Sequence, residues 1–158
     1  MAESYRCVVA TPTRVLFEGD VYYADVPGYA GHYGVLKGHE SLVATNHQGG
    51  KLVLHLDPDG NEKREFLIHR GCTQMLHDHL AVLARFGRAV EDLDLESSKK
   101  RVEEISAEIA AKEAEVAAET DEDRIAAGEA WLSTERIHLE WHEAKIHFLE
   151  TGQESTKQ

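Results

Sequence analysis

Two cysteines in 158 residues, Cys7 and Cys72, exclude a disulfide framework. Both lie in apolar stretches, which predicts reduced core residues in a cytosolic-type compartment. No apolar run approaches the roughly 18 residues of a membrane-spanning helix, so direct membrane insertion is not expected. The opening residues Met1 to Arg6 lead into an apolar segment too short for a secretory signal. Basic residues are scarce: 17 Lys and Arg stand against 29 Asp and Glu, a net charge of −12. Nucleic-acid binding needs a basic footprint that displaces counterions, and none is present. An anionic lipid surface would also repel most of this charge. No Ser/His/Asp or Cys/His constellation can be assembled, so no catalytic residue is assigned.

What charge there is falls unevenly. Residues 1–90 hold nine basic and ten acidic side chains, whereas residues 91–158 hold eight and nineteen. A nearly neutral half joined to a strongly acidic half predicts two units with different surroundings. In the first half, short apolar segments alternate with turn residues: Val8–Ala10, Arg14–Phe17, Val21–Val26, Lys51–Leu56, Glu65–His69, Cys72–Leu76 and Leu80–Ala84. Asp57-Pro58-Asp59-Gly60-Asn61 is a strong hairpin turn, since Pro presets one dihedral and Gly supplies a positive φ. A second pair of strands is expected around His77-Asp78. Short strands at this spacing predict an all-β sandwich or barrel over residues 1–90.

Near Val90 the period changes. Leu95, Val102, Ile109 and Val116 recur every seven residues among alanines, the spacing of a helix built from strong helix formers. Asp94 is the expected N-cap, and Glu96–Lys100 and Glu108–Lys112 are expected i,i+4 pairs. Thr120 to Asp123 breaks the pattern and offers a cap for a second helix from about Arg124 to Leu149. That helix carries two apolar stripes, one through Ile125, Leu132, Leu139 and Ile146, the other through Ala130, Ile137, Trp141, Ala144 and Phe148. One stripe suffices to pair with the first helix, so two predict a second docking surface. The expectation is an antiparallel two-helix hairpin over residues 91–150 and a polar tail over 151–158.

Several features invite a site. Gly31, Gly34 and Gly38 lack Walker spacing and are read as turn residues of a β-domain. His138 and His142 lie at i,i+4, and His77 and His79 are expected on one strand face. With no third ligand placed nearby, they are read as surface or interfacial histidines, and no metal or cofactor is assigned. The many carboxylates of the second helix are read as a solvated face.

The order of a β-sandwich and then an acidic, Ala-rich helical hairpin carries specific residues with it. Thr11-Pro12-Thr13-Arg14-Val15-Leu16-Phe17-Glu18-Gly19-Asp20-Val21 resembles the opening hairpin of the epsilon subunit of F-type ATP synthase, homologous to the mitochondrial delta subunit. The stretch Pro27 to Leu42, with Gly31-His32-Tyr33-Gly34, His39 and Leu42, resembles that family's signature. Arg70-Gly71-Cys72 with Leu80 to Ala84 resembles its later strand pair, although Arg70 replaces the first of two glycines and Lys37 a usual proline. Glu91-Asp92-Leu93-Asp94 resembles its junction between sandwich and helices. The similarity runs from about residue 5 to residue 119.

This resemblance implies a non-catalytic central-stalk rotor subunit that couples the gamma subunit to the membrane c-ring. It implies that Gly31, His32, Tyr33 and Gly34 face the c-ring and that His39 lies toward gamma. The C-terminal helices would restrain ATP hydrolysis by docking on the catalytic head, with Trp131, Leu132, Leu139 and Trp141 as docking residues. In the family, basic residues of the second helix commonly face an acidic motif on the head. Some members bind ATP through Ile/Leu-Asp-x-x-Arg-Ala at the start of the first helix. Here the frame reads Leu93-Asp94-Leu95-Glu96-Ser97-Ser98, without the cation that would pair with phosphate. The implied location is peripheral on the cytoplasmic face of a bacterial plasma membrane, with an organellar inner membrane and the choice of H⁺ or Na⁺ left open. The alternative is a free-standing sandwich adaptor with a helical-hairpin binding arm; a small hydrolase is a distant third.

Overall fold

A computed structural model describes residues 2–155. Ten strands come first: β1 (Tyr5–Thr11), β2 (Arg14–Val21), β3 (Tyr23–Gly28), β4 (Gly31–Val35), β5 (Leu42–Thr45), β6 (Gln48–His55), β7 (Lys63–His69), β8 (Cys72–Leu76), β9 (His79–Leu83) and β10 (Phe86–Ala89). A single 3-10 turn at Val90–Asp92 precedes α1 (Leu95–Ala118) and α2 (Glu122–Thr151). The strands form two five-stranded sheets, in the orders β2-β1-β9-β8-β5 and β10-β7-β6-β3-β4. Pairing is antiparallel except where β1 runs parallel to β9. Two compact units result: residues 2–93 together with Glu154 and Ser155, and residues 94–153.

Alternation decides what lies between the sheets. Tyr5, Cys7 and Val9 of β1, Leu52 and Leu54 of β6, Phe66 and Ile68 of β7, and Leu80 and Val82 of β9 share one apolar core. Side chains two apart on a strand point to the same face, so each strand contributes every second residue. Burial pushes the Cys7 thiol up to about 12, as befits an inert core cysteine. Cys72 differs from the expected core residue: it begins β8 on the outward-facing phase and is exposed.

The connection from β7 to β8 crosses between sheets with only Arg70 and Gly71, both at positive φ (58° and 88°). Gly71 has no substitute there, because a β-carbon would lie 2.0 Å from the Leu83 carbonyl oxygen. Asn46 ties this corner. Its Nδ2 donates to the carbonyls of Arg70 (3.2 Å) and Leu83 (3.1 Å), and its own amide donates to Gly71.

Three strands lay outside the sequence reading: β4, β5 and β10. β4 holds two glycines and β5 is four residues long, so neither presents the apolar run that identifies a strand. Gly34 is accordingly a mid-strand residue, not a turn residue; the Tyr23 ring lies over it, where a β-carbon would meet the hydroxyl at 2.7 Å. His77 is no strand-face partner of His79 either. His77 and Asp78, at φ 47° and 57°, form the two-residue turn between β8 and β9, a conformation that matches strand twist.

In the helical unit, the Asp94 carboxylate accepts from the Ser97 amide at 2.6 Å and Asp121 from the Arg124 amide at 3.1 Å, capping both N-termini. Gly152 closes α2 at φ 69°. Ile105 and Ile109 of α1 bury against Leu132 of α2, with Val116, Trp131 and Leu139 packed around them. Lys100 pairs with Glu104 at 3.9 Å and Lys112 with Glu115 at 3.0 Å, where Glu96 and Glu108 were the expected partners; the Lys112 ammonium also lies 5.9 Å from the Trp131 ring centre.

Candidate protein-interaction surfaces

The register of the first sheet builds its outer face row by row. One row runs Thr45, Cys72, Leu83, Ala10; the next runs Val43, Gln74, Ala81, Val8. Val43 is 74% exposed, Leu83 45% and, at the end of β8, Leu76 43%. At the β1–β2 side this face turns charged, with Arg6 bonded to Glu18 at 3.0 Å and near Asp20 at 3.7 Å. Sequence reading missed this surface. Its one signal is the unbroken run Leu80 to Leu83, where a strand with a solvated face would alternate.

His39 stands three residues before β5, exposed, with Nδ1 2.8 Å from the Glu40 carbonyl. Gly31 to Gly34 open β4 at the far edge of the second sheet. Gly28 pairs with Gly31 across a two-residue turn whose Tyr29 is 56% exposed. Gly31 needs its φ of 131°, and Gly28 admits no β-carbon because the Gly31 carbonyl and Tyr33 ring close over it. Tyr33 packs toward the core, while His32, on the opposite face of β4, bonds Asp25 and Glu154.

The four hairpin residues divide. Leu132 is buried in the hairpin's own core with Leu139 beside it, and Trp131 is half-buried along an open cleft of about 580 Å³ lined by Lys112, Val116, Arg124 and Gly128. Trp141 is buried, with the Lys145 ammonium 5.3 Å from its ring. His142 lies near Lys145 and Arg101; burial and these two cations hold its pKa down to about 4. The two neighbouring cations would repel a metal ion at this ring.

Residues 4–89 match the family described as ATP synthase, Delta/Epsilon chain, beta-sandwich domain. The chain belongs to this family. The ATP synthase epsilon chain of Solibacter usitatus is 32% identical over 103 residues, which cover 65% of this chain and 74% of that protein. That of Maricaulis maris is 32% identical over 124 residues, covering 78% and 86%. A chain in the cryo-EM structure of the Euglena gracilis mitochondrial ATP synthase (OSCP/F1/c-ring, rotational state 1) superimposes with a TM-score of 0.56. Its identity is 20%, over 89% of this chain and 78% of that one, and the likeness is one of fold. As an epsilon-family chain, the protein is a non-catalytic epsilon-type subunit of ATP synthase. In the Leu93-Asp94-Leu95-Glu96-Ser97-Ser98 frame, Asp94 caps α1, and the Ser98 hydroxyl donates to the Asp94 carbonyl at 2.6 Å.

Proposed function

We propose that this epsilon-family chain joins a gamma subunit to the c-ring of a rotary F-type ATP synthase, so that the three turn together. The apolar outer face of the first sheet carries the reading. Sheet faces that meet water ordinarily carry polar residues, whereas this one exposes Val43, Leu76 and Leu83, and clustered exposed apolar side chains mark an interface. Val43, Leu76 and Leu83 would pack on gamma, with His39 at the margin beside β5. Gly31, His32, Tyr33 and Gly34, with the exposed Tyr29 ahead of them, would face the c-ring. Torque then passes through packed surfaces and no bond is made or broken in this chain.

The C-terminal helices would restrain ATP hydrolysis by docking on the catalytic head. Trp131, half-buried beside the hairpin cleft, would make the first contact. Leu132, Leu139 and Trp141 would join only if the helices rearranged, because each already packs within the folded chain. The complex would lie on the cytoplasmic face of a bacterial plasma membrane and conduct protons or sodium ions through its membrane subunits.

The test is a pull-down of the full-length chain with gamma and c-ring, repeated with Val43→Asp and Leu83→Asp. A charge placed in a desolvated interface is strongly unfavourable. Both variants should keep their circular dichroism and melting profile and lose gamma. Wild-type binding that survives both substitutions would remove the outer face from the interface.

A further inference from the structure

We propose that His32 and the main-chain amide of Lys51 form a carboxylate-binding site, filled in cis by Glu154, through which one proton fastens the C-terminal end of the chain to the second sheet.

The site arises where a ladder ends. β3 pairs with β6 only from Tyr23↔His55 to Asp25↔Val53. Beyond that, Pro27 has no amide hydrogen, and its carbonyl accepts from the His47 amide at 2.9 Å. Two residues past the last pair, the Lys51 amide therefore meets no strand acceptor. It donates instead to Glu154 Oε1 at 2.5 Å. A backbone donor in this half-buried position requires a partner, and a carboxylate is a strong one.

The same carboxylate faces His32. Nε2 lies 2.8 Å from both Glu154 oxygens, and Nδ1 lies 2.9 Å from Asp25 Oδ1. Ionised carboxylates only accept hydrogen bonds, whereas a neutral imidazole has one donor nitrogen. A neutral ring would thus point a lone pair at one carboxylate, and only the imidazolium satisfies both. Burial by itself would lower the His32 pKa, but the hydrogen bonds and charges of Glu154 and Asp25 outweigh it and raise the pKa.

The other groups around the ring leave this balance intact. Asp25 comes from β3 and Glu154 from the C-terminal segment. On β6, the Lys51 ammonium reaches Glu65 of β7 at 3.2 Å. On β4, Tyr33 points to the core face and no other residue is charged. Because the folded-state pKa is raised, the closure is complete below about pH 6.5, the ordinary histidine value. It is lost as pH rises through the raised value. The chain leaves the sandwich unit at Leu93 and rejoins it at Glu154, so the bond closes a loop around residues 94–153. His32 would be the residue that senses pH for that closure.

The test needs only the isolated full-length chain and is independent of any rotor partner. Histidine NMR titration should give a His32 midpoint above 6.5, shifted downward in Glu154→Gln and in Asp25→Asn. The 15N heteronuclear NOE of Glu154 should be high at pH 6, fall by pH 9, and be low at both pH values in His32→Gln. Glu154 lies outside every strand and helix, so Glu154→Gln carries the titration even if a sandwich variant fails to fold. An unshifted His32 midpoint in Glu154→Gln, or a Glu154 amide equally ordered at pH 6 and pH 9 in the wild type, would overturn the proposal.

Discussion

The Thr73 hydroxyl donates to Asn46 Oδ1 at 2.6 Å inside the sandwich, between side chains that are 0% and 1% exposed. Asn46 thereby uses its oxygen on β8 and its Nδ2 on the carbonyls of Arg70 and Leu83. Replacing it with alanine leaves a hydroxyl and two carbonyls without this partner. Each unsatisfied buried group costs about 1–3 kcal/mol, so Asn46→Ala should destabilise the sandwich by about 3 kcal/mol or more. Urea denaturation followed by far-UV circular dichroism measures it. A loss under about 1 kcal/mol would mean that water replaces the amide without penalty.

Gly128 of α2 is buried against Val116 of α1, where a β-carbon would approach Cγ2 to 2.3 Å. Intrinsic propensity favours alanine over glycine in a helix by about 1 kcal/mol. Overpacking opposes it by about 1–3 kcal/mol, and valine has few rotamers with which to yield. Gly128→Ala should therefore destabilise the hairpin. Both tryptophans of the chain lie on α2, so fluorescence during denaturation reports on this unit. A raised midpoint would show that the helices separate at little cost.

These two glycine and asparagine contacts also mark the limit of what the sequence makes legible. Local signals were read well: Asp94 caps α1, the break at Thr120 to Asp123 supplies the cap of α2, Gly60 at φ 70° turns β6 toward β7, and Cys7 lies in the core. Strands whose identity comes from pairing were not, β4 and β5 above all. Asn46 looks like a loop residue until the sheets are closed. The surface partners of His32 lie 7 and 122 residues away, and no spacing rule connects them. Arg70 holds a positive φ of 58° in the two-residue connection between β7 and β8, a conformation that arginine's own propensity does not announce.

Acid should weaken the hairpin before it weakens the sandwich core. His142 has its pKa lowered to about 4 by burial, Lys145 and Arg101, against about 6.5 in the unfolded chain. The unfolded state thus binds the proton first. Its contribution to stability is present above about pH 6.5 and is lost as pH falls toward about 4. Tryptophan-monitored melting should show a falling midpoint through that window, and His142→Gln should flatten it. A dependence identical in the variant would assign the acid sensitivity to other groups.

The sandwich should fold without its helices. Every residue of its buried core lies between Tyr5 and Ala89. A fragment of residues 1–93 should give a β-type circular dichroism spectrum and a single cooperative melt, with modest stability at this size. A fragment that remains unfolded would show that residues beyond Leu93 are part of the folding unit.

The last expectation concerns how the helices would restrain hydrolysis. Residues 121–150 carry eight acidic side chains and three basic ones, Arg124, Arg136 and Lys145, a balance of −5. Arg136 is already paired with Glu113 at 2.7 Å and Arg124 lies 3.6 Å from Glu119, so little cationic charge is left to seek an acidic surface. Exposed pairs of this kind each contribute little, but a summed field of one sign alters association. Approach to an acidic part of the catalytic head would be repelled, and any docking would rest on apolar contact, with Trp131 as the first anchor and Trp141 joining it only if the helices rearranged. The screening length shrinks from about 10 Å at 0.1 M salt to about 3 Å at 1 M, so added salt removes the repulsion and leaves apolar contact intact. Inhibition of ATP hydrolysis by the reconstituted complex should therefore strengthen with ionic strength, be weakened by Trp131→Ala, and be absent when the chain ends at Leu93. Strong inhibition at low salt that disappears at high salt would show that attraction between charges holds the helices to the head.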